Sequence, residues 1–249
     1  MNIDKEFKRI DERKYNELRK ISFSLNYLNH PDGSVLIEFG KTRVICSVSI
    51  QNEVPGWMKA QKVPGGWLTA EYSLLPSSTG DRVKRERNGI GGRTHEIQRL
   101  IGRSLRAACD LSLLDGKTVF IDCDVIDADG GTRCASITGA MVALNLAVNK
   151  LLKQKTLSKN PIIKQIAAVS VGIISGTPIL DLCYTEDSAA EVDMNVIMTE
   201  DMEIVEIQGT GEKNTFTRAQ MSKMIDLAEN GIQTILTIQK NVLNNTNFQ

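Results

Sequence analysis

Two groups of residues, far apart in this 249-residue chain, have the types and spacing to do chemistry. The first is Gly130-Gly131-Thr132-Arg133, placed between a strand pattern and a helix pattern. Glycines let the backbone approach an anion closely, the first N–H groups of a following helix point outward unpaired, the Thr132 hydroxyl can donate, and the Arg133 guanidinium adds a forked ionic contact. Such a turn suits a phosphate. It is not a Walker loop, and Gly-Gly-Thr alone also opens ordinary helices. The second group is Glu186-Asp187-Ser188-Ala189-Ala190-Glu191-Val192-Asp193. Asp187 on a loop and Asp193 at a strand entrance can converge on a hard divalent ion, or one of them can give a proton to a leaving oxygen. Acids without His are closer to Mg²⁺ chemistry than to Zn²⁺; a solvated acidic loop is the plain alternative.

The charge pattern ties the two groups together. The chain holds 30 Lys+Arg and 30 Asp+Glu, yet residues 82–106 carry eight Lys/Arg against two Glu, and residues 181–212 carry ten Asp/Glu with no Lys or Arg. A cationic surface, a carboxylate cluster and an anion-sized turn are the parts needed to handle a phosphodiester. Arg93, after Gly91-Gly92, can reach the same anion as Arg133. A basic loop at 77–92, expected to be flexible, offers Arg82 and Arg85 to backbone phosphates of a single strand. Arg99, Arg103 and Arg106, at spacings of four and three, form a stripe that fits either RNA or carboxylates of a partner subunit.

These residues must be positioned by regular elements. Alternation over 21–27, 35–39 and 43–50, with a Gly40-Lys41 turn, predicts strands that include a hairpin. A Pro/Gly-rich connection at 54–67 then leads to a short apolar segment at 68–75. Trp57 and Trp67 either anchor a packed loop there or belong to a flexible excursion at a binding surface. Thr94 is positioned to cap a helix reaching about residue 114. A strand at 118–126 precedes a broadly apolar core helix after the Gly-Gly-Thr-Arg turn. Strands at 166–174, 179–184, 194–198 and 204–207 follow, and Thr217 opens a last amphipathic helix. This order predicts mixed α+β layers rather than a Rossmann succession.

With 41% hydrophobic residues the chain can bury a sizeable core, and residues 1–249 read as one domain. Five cysteines lacking CxxC spacing read as reduced core residues. The charged N-terminal stretch, with Lys5 and Glu6, has no apolar signal region, and no later segment reads as a membrane span. Both predict a cytoplasmic chain with no membrane partner.

The motifs together resemble bacterial ribonuclease PH. The resemblance rests on Gly65-Gly66-Trp67-Leu68-Thr69-Ala70-Glu71-Tyr72-Ser73-Leu74-Leu75-Pro76, on Gly92-Arg93-Thr94-His95-Glu96-Ile97-Gln98-Arg99, and on Asp122-Cys123-Asp124-Val125-Ile126-Asp127-Ala128-Asp129 running into the Gly-Gly-Thr-Arg turn. Glu186-Asp187 through Asp193-Met194-Asn195 and Glu206-Ile207-Gln208-Gly209-Thr210-Gly211-Glu212 complete it, in family order across nearly the whole chain.

The resemblance implies a ribosomal-protein-S5-domain-2-like β-α-β-α fold and a ring hexamer built as a trimer of dimers. It also implies phosphate-dependent 3′→5′ trimming of RNA with a single-stranded 3′ end, especially transfer-RNA precursor tails, and a place in RNA processing more broadly, ribosomal RNA included. Nucleoside diphosphates are released, and the reverse reaction adds nucleotides. The implied roles are phosphate binding for Arg93, Gly131, Thr132 and Arg133, catalysis for Asp187 and Asp193 with Mg²⁺ near both, and inorganic phosphate as co-substrate. A noncatalytic RNA-binding ring subunit and a hydrolytic exonuclease are the alternatives. The chain departs from the family at Glu12, where Asp-Gly-Arg is usual, and at Ser77, where many members carry Arg. Asn195 stands where related polynucleotide phosphorylases have Lys.

Overall fold

A computed structural model describes residues 8–245, so the charged residues Lys5 and Glu6 lie outside the described residues. Alternation decides the first sheet. In β3 (Thr42–Gln51) Val44, Cys46 and Val48, and in the later strand Thr118–Asp127 Val119, Ile121, Cys123 and Val125, all lie on the buried face. They meet in antiparallel register, Val44 opposite Val125, Cys46 opposite Cys123 and Val48 opposite Ile121. On one side β2 (Gly33–Phe39) and β1 (Ile21–Leu25) extend the sheet antiparallel. On the other side β4 (Trp67–Leu74) runs parallel to β5 (Thr118–Asp127), giving the order β1-β2-β3-β5-β4. A parallel pair needs a crossover, and here α2 (Gly92–Ala107) and a 3₁₀ turn at Leu111–Leu114 supply it.

The second sheet is antiparallel throughout, in the order β7 (Thr177–Leu180), β6 (Ile166–Ile174), β8 (Val192–Thr199), β9 (Ile204–Gly211). The helix α3 (Thr132–Lys153) packs on β2 and β3 of one sheet and β6 of the other, so it is buried nearly all round. Its approach to the first sheet is close: a Cβ on Gly33 would lie 2.2 Å from the Ala143 carbonyl oxygen, and one on Gly139 would lie 2.7 Å from Ile37 Cγ2. One continuous apolar cluster therefore joins both sheets, with Val48, Ile101, Ile137, Val169 and Met224 among its members. Burial of each such large side chain contributes roughly 1.5–3 kcal/mol. The last helix, α5 (Arg218–Asn245), covers β6, β7 and β8. Thr217 caps it as expected: its Oγ1 accepts from the Gln220 N–H at 3.2 Å, and Gln220 Oε1 accepts from the Thr217 N–H at 2.8 Å.

Several sequence expectations are corrected. Thr94 does not cap α2; its hydroxyl donates to Glu86, and the cap lies three residues earlier at Gly91, which offers no side-chain cap. The same helix ends at Ala107 rather than near 114, where the chain turns so that Cys109 bridges Ile162. Residues 181–184 are not strand: β7 stops at Leu180, and α4 (Tyr184–Ala189) begins at Tyr184, so Asp187 stands on a helix and not on a loop. A membrane-length segment does exist, since α3 is long and apolar enough to span a bilayer, but it is the core helix between the sheets. The 54–67 connection contains a short helix, α1 (Gly56–Gln61). There Trp57 and Trp67 meet edge to face at 5.1 Å, with the Arg106 guanidinium over Trp67; Trp67 is half-buried, while Trp57 stays 44% exposed. All five cysteines are free and buried.

Glu12 occupies a left-handed backbone conformation, φ +65°. That is the geometry which makes glycine the usual residue of an Asp-Gly-Arg turn. Left-handed geometry costs a side-chain-bearing residue about 1–2 kcal/mol, offset partly by the greater freedom of glycine in the unfolded chain. Glu12→Gly is therefore expected to stabilise the protein by roughly 0.5–1 kcal/mol. Urea denaturation measures it, and a lowered midpoint would count against strain at this turn.

Candidate active site

Arg133, at the end of the glycine turn, and the acids meet in one cavity of about 610 Å³. Arg93, Arg133, Asp187 and Asp193 all line it, together with Glu96 and Glu212. The two arginines come from the first turns of α2 and α3 and the two aspartates from α4 and β8, with Glu96 on α2 beside the arginines and Glu212 and Lys213 just after β9. The site thus lies on the seam between the halves.

The glycine turn is held open by geometry only glycine adopts freely. Gly130 and Gly131 have φ of +78° and +66°, and a Cβ on Gly130 would strike the backbone at Leu182, Cys183 and Tyr184 within 2.6–2.8 Å. Behind the turn the Tyr72 hydroxyl and Thr132 Oγ1 are 2.9 Å apart and buried. Burial raises the Tyr72 phenol, while the Thr132 bond and the charges of Arg93 and Arg133 pull it down less strongly. Gly131 and Thr132, expected to bind phosphate, do not line the cavity; of the turn only Arg133 does.

Arg133 is oriented by a residue that sequence reasoning passed over. Its Nη2 donates to Glu96 Oε2 at 3.0 Å, which leaves its Nε buried without a partner beside the cavity. A buried guanidinium N–H without a protein acceptor can donate to an anion in the cavity. Glu96 sits one helical turn after Arg93, a spacing that could have flagged it.

The two aspartates are under electrostatic stress. Burial raises Asp187, against the opposing pull of Arg133 and Arg93. Burial, then the neighbouring charge of Asp187, pushes Asp193 up to about 6 despite Arg133. Asn195, two residues along the same strand face, accepts the Cys134 S–H at 3.1 Å on its Oδ1 and offers its amide toward Asp193. Among the described residues no group of three or more His, Cys, Asp or Glu side chains gathers to enclose a metal ion. Asp187 and Asp193 supply two carboxylates, the donor set of a cation such as Mg²⁺ that keeps several waters.

The remaining expected RNA contacts are elsewhere. Arg82 and Arg85 are exposed on the 75–91 loop, with Arg85 lining a separate cavity against β4. Arg99 is exposed on another face of α2 from Arg93 and does not line the main cavity. Within the basic stripe, Arg103 pairs with Glu206, and Arg106 donates to the Leu68 carbonyl.

Beneath the cavity lies a buried ionic layer with no local sequence signal. Arg9 donates from Nε and Nη2 to both Glu186 oxygens at 2.7 and 2.6 Å, and Arg19 grips Asp181 with Nη2 to Oδ1 at 2.7 Å. Burial alone would raise Glu186, yet the Arg9 bonds, the Cys183 N–H and the nearby charges outweigh it and hold the carboxyl below its usual range. Removing such ions from water costs several kcal/mol each before hydrogen bonds offset it.

Comparison with known proteins decides the family. The "3′ exoribonuclease family, domain 1" model matches residues 17–148, and "3′ exoribonuclease family, domain 2" matches residues 164–231. The chain belongs to this ribonuclease PH family. Ribonuclease PH of Bacillus pumilus (strain SAFR-032) is 54% identical over 237 residues, covering 94% of this chain and 97% of that protein. Ribonuclease PH of Bacillus cereus (strain AH820) is 54% identical over 238 residues, covering 94% and 96%. Among solved structures the Archaeoglobus fulgidus exosome with RNA bound to the active site superimposes with a TM-score of 0.77 at 22% identity, covering 92% of each chain. Rice (Oryza sativa) Rrp46 follows with a TM-score of 0.75 at 19% identity, covering 94% and 100%. The fold is the ribosomal-protein-S5-domain-2-like ribonuclease PH fold. As a ribonuclease PH family member, the protein is a phosphate-dependent 3′→5′ exoribonuclease.

Proposed function

We propose that this enzyme trims the single-stranded 3′ tails of transfer-RNA precursors, and that the seam cavity is where phosphate meets the last phosphodiester. The observation that carries the assignment of the site is the unpartnered Arg133 Nε beside Arg93 and across from two stressed carboxylates.

In this reading inorganic phosphate lies between Arg93 and the Gly131-Thr132-Arg133 turn. The Arg133 fork and the free N–H groups of the first turn of α3 hold its charge. One phosphate oxygen attacks the terminal phosphorus in line, and the bond from that phosphorus to the 3′ oxygen of the preceding nucleotide breaks. The departing oxygen takes the proton of Asp193, whose raised pKa keeps that proton available near neutral pH. The products are a nucleoside diphosphate and RNA shorter by one nucleotide with a free 3′ hydroxyl; Asp193 recovers its proton from solvent. Asp187 and Asp193 would also be the residues to hold Mg²⁺, which would supply charge neutralisation on phosphate oxygens; with the ion bound Asp193 would be ionised, and the leaving oxygen would take its proton from water instead of from the Asp193 carboxyl. Fixed cations and donors supply most of the rate, and no base need be read.

The exposed Arg82, Arg85 and Arg99 are placed to guide the RNA backbone toward the cavity. A homo-oligomeric ring, a hexamer as trimer of dimers, is the assembly this reading favours. Its support is the likeness to chains of solved exosomes; a single cytoplasmic domain spanning the whole chain is part of the same proposal.

Phosphate omission tests the reading directly. RNA with an unstructured 3′ tail should be shortened only when phosphate is present, with nucleoside diphosphate as the product. Shortening in phosphate-free buffer with nucleoside monophosphate released would identify hydrolysis instead.

A further inference from the structure

Both halves of the cavity hang from one buried pair. The Arg19 guanidinium donates from Nη1 to the Asp129 carbonyl at 2.6 Å and from Nη2 to the Gly130 carbonyl at 3.3 Å, so it holds the backbone of the glycine turn. The same side chain donates to Asp181 from Nε at 3.1 Å and from Nη2 at 2.7 Å, and the Arg19 backbone N–H donates to Asp181 Oδ2 at 2.7 Å. Asp181 sits at φ +54°, where the chain leaves the second sheet for α4. Its carbonyl accepts Arg9 Nη2 at 2.8 Å, and Arg9 in turn holds Glu186, the neighbour of Asp187. Thr42 completes the turn side: its Oγ1 donates to the Gly130 carbonyl at 2.7 Å and accepts the Asp129 N–H at 2.9 Å. Even Gly40 serves this arrangement, since a Cβ there would lie 2.8 Å from Arg19 Cδ.

The path is continuous from Arg133 through the turn, Arg19, Asp181, Arg9 and Glu186 to Asp187, and Arg19 and Asp181 are 6% and 1% exposed. We propose that the Arg19–Asp181 pair is a positioning clamp that sets the reach between the Gly131–Arg133 turn and the Asp187 carboxylate, and so couples phosphate binding to the chemical step. The proposal rests on the phosphate-site reading above. Neither residue touches the cavity; both act through the groups they hold. Charge alone does not fill the role. The clamp needs a planar fork reaching a carboxylate and two carbonyls at once, which a lysine point charge cannot do.

The test is a kinetic split on the full-length oligomer. Arg19→Lys should raise the phosphate concentration for half-maximal rate by tenfold or more and lower kcat by ten- to a hundredfold. Binding of the RNA tail, measured without phosphate, should stay within twofold, because the basic loop is untouched. Asp181→Asn should do the same, and the double variant should be no worse than the poorer single one, since either change opens the same clamp. Should Arg19→Lys fail to fold, Thr42→Val removes only the hydroxyl that fixes Gly130, and Thr42→Ser should restore the wild-type phosphate requirement. Unchanged phosphate half-saturation in folded Arg19→Lys or Thr42→Val overturns the clamp, as does an equal loss in every parameter including RNA binding. Arg133→Ala, run alongside, separates the two layers. If it leaves the phosphate requirement unchanged, the phosphate-site reading is wrong and the clamp falls with it; if it raises the requirement while Arg19→Lys does not, only the clamp is lost.

Discussion

Asp193→Asn is expected to lower phosphorolytic turnover at saturating RNA and phosphate by about 10²–10⁴-fold, the range for losing a positioned general acid, while making the protein more stable at neutral pH. The two effects share one cause. Burial and the Asp187 charge push Asp193 from 3.8 to about 6, so the folded protein holds this proton more tightly than the unfolded chain does. Below 3.8 the group is neutral in both states and the shift has no effect. Between 3.8 and about 6 stability falls as pH rises, because folding must keep an ionised carboxylate where it is disfavoured, and above 6 the penalty is complete. An amide has no such penalty. In phosphate- and metal-free buffer, Asn at this position should therefore raise unfolding free energy by about 1–3 kcal/mol at pH 7.5, with the gain gone near pH 3.5. Single-turnover kinetics and paired denaturation curves at the two pH values measure both halves, with light scattering on the same samples to confirm that the assembly is unchanged. Wild-type turnover would remove Asp193 from the chemistry; a stability gain equal at both pH values would remove its raised pKa as the cause.

The second large effect belongs to Arg133. Charge-assisted hydrogen bonds contribute roughly 1.5–3 kcal/mol each, so Arg133→Ala should raise the phosphate half-saturation about 10–100-fold with a smaller change in kcat. Arg93→Ala should act in the same direction but less, because Arg93 is exposed and water screens it. Glu96 gives the contrast. It holds Arg133 Nη2 at 3.0 Å and competes with the anion for the guanidinium, so Glu96→Gln should lower the phosphate requirement. Phosphate titrations of the three variants decide the matter. An unchanged requirement in Arg133→Ala would move the phosphate site elsewhere.

What could be read from the residues alone followed from how local each signal is. The Gly130–Arg133 turn, the alternation of β3 and β5 and the Thr217 cap are written in a few consecutive positions, and the structure has them in place. The start of α2 is hidden in the sequence because Gly91 offers no side-chain cap, whereas nearby Thr94 has the chemistry of one. Asp187 reads as loop in the sequence because α4 is only six residues long, too short to show a helical period. The ionic layer beneath the site was beyond reach for another reason. Arg19 and Asp181 are 162 positions apart, and Arg9 and Glu186 are 177 apart, so only the tertiary fold brings them together. Glu12 is the intermediate case, since a departure noticed in the sequence acquires its meaning from a φ of +65°.

The core helix α3 works as a lever as well as a filler. Its 22 residues make a rod about 33 Å long, with Arg133 at one tip and Lys153 at the other. A tilt of roughly 2° about the far tip would swing Arg133 by about 1 Å, twice the ~0.5 Å tolerance of a catalytic constellation. The rod has little room to tilt, because Gly33 and Gly139 let it bed directly onto the sheet, with no side-chain cushion between. The aim of Arg133 is thus fixed along the length of a rod whose other end lies across the molecule from the cavity.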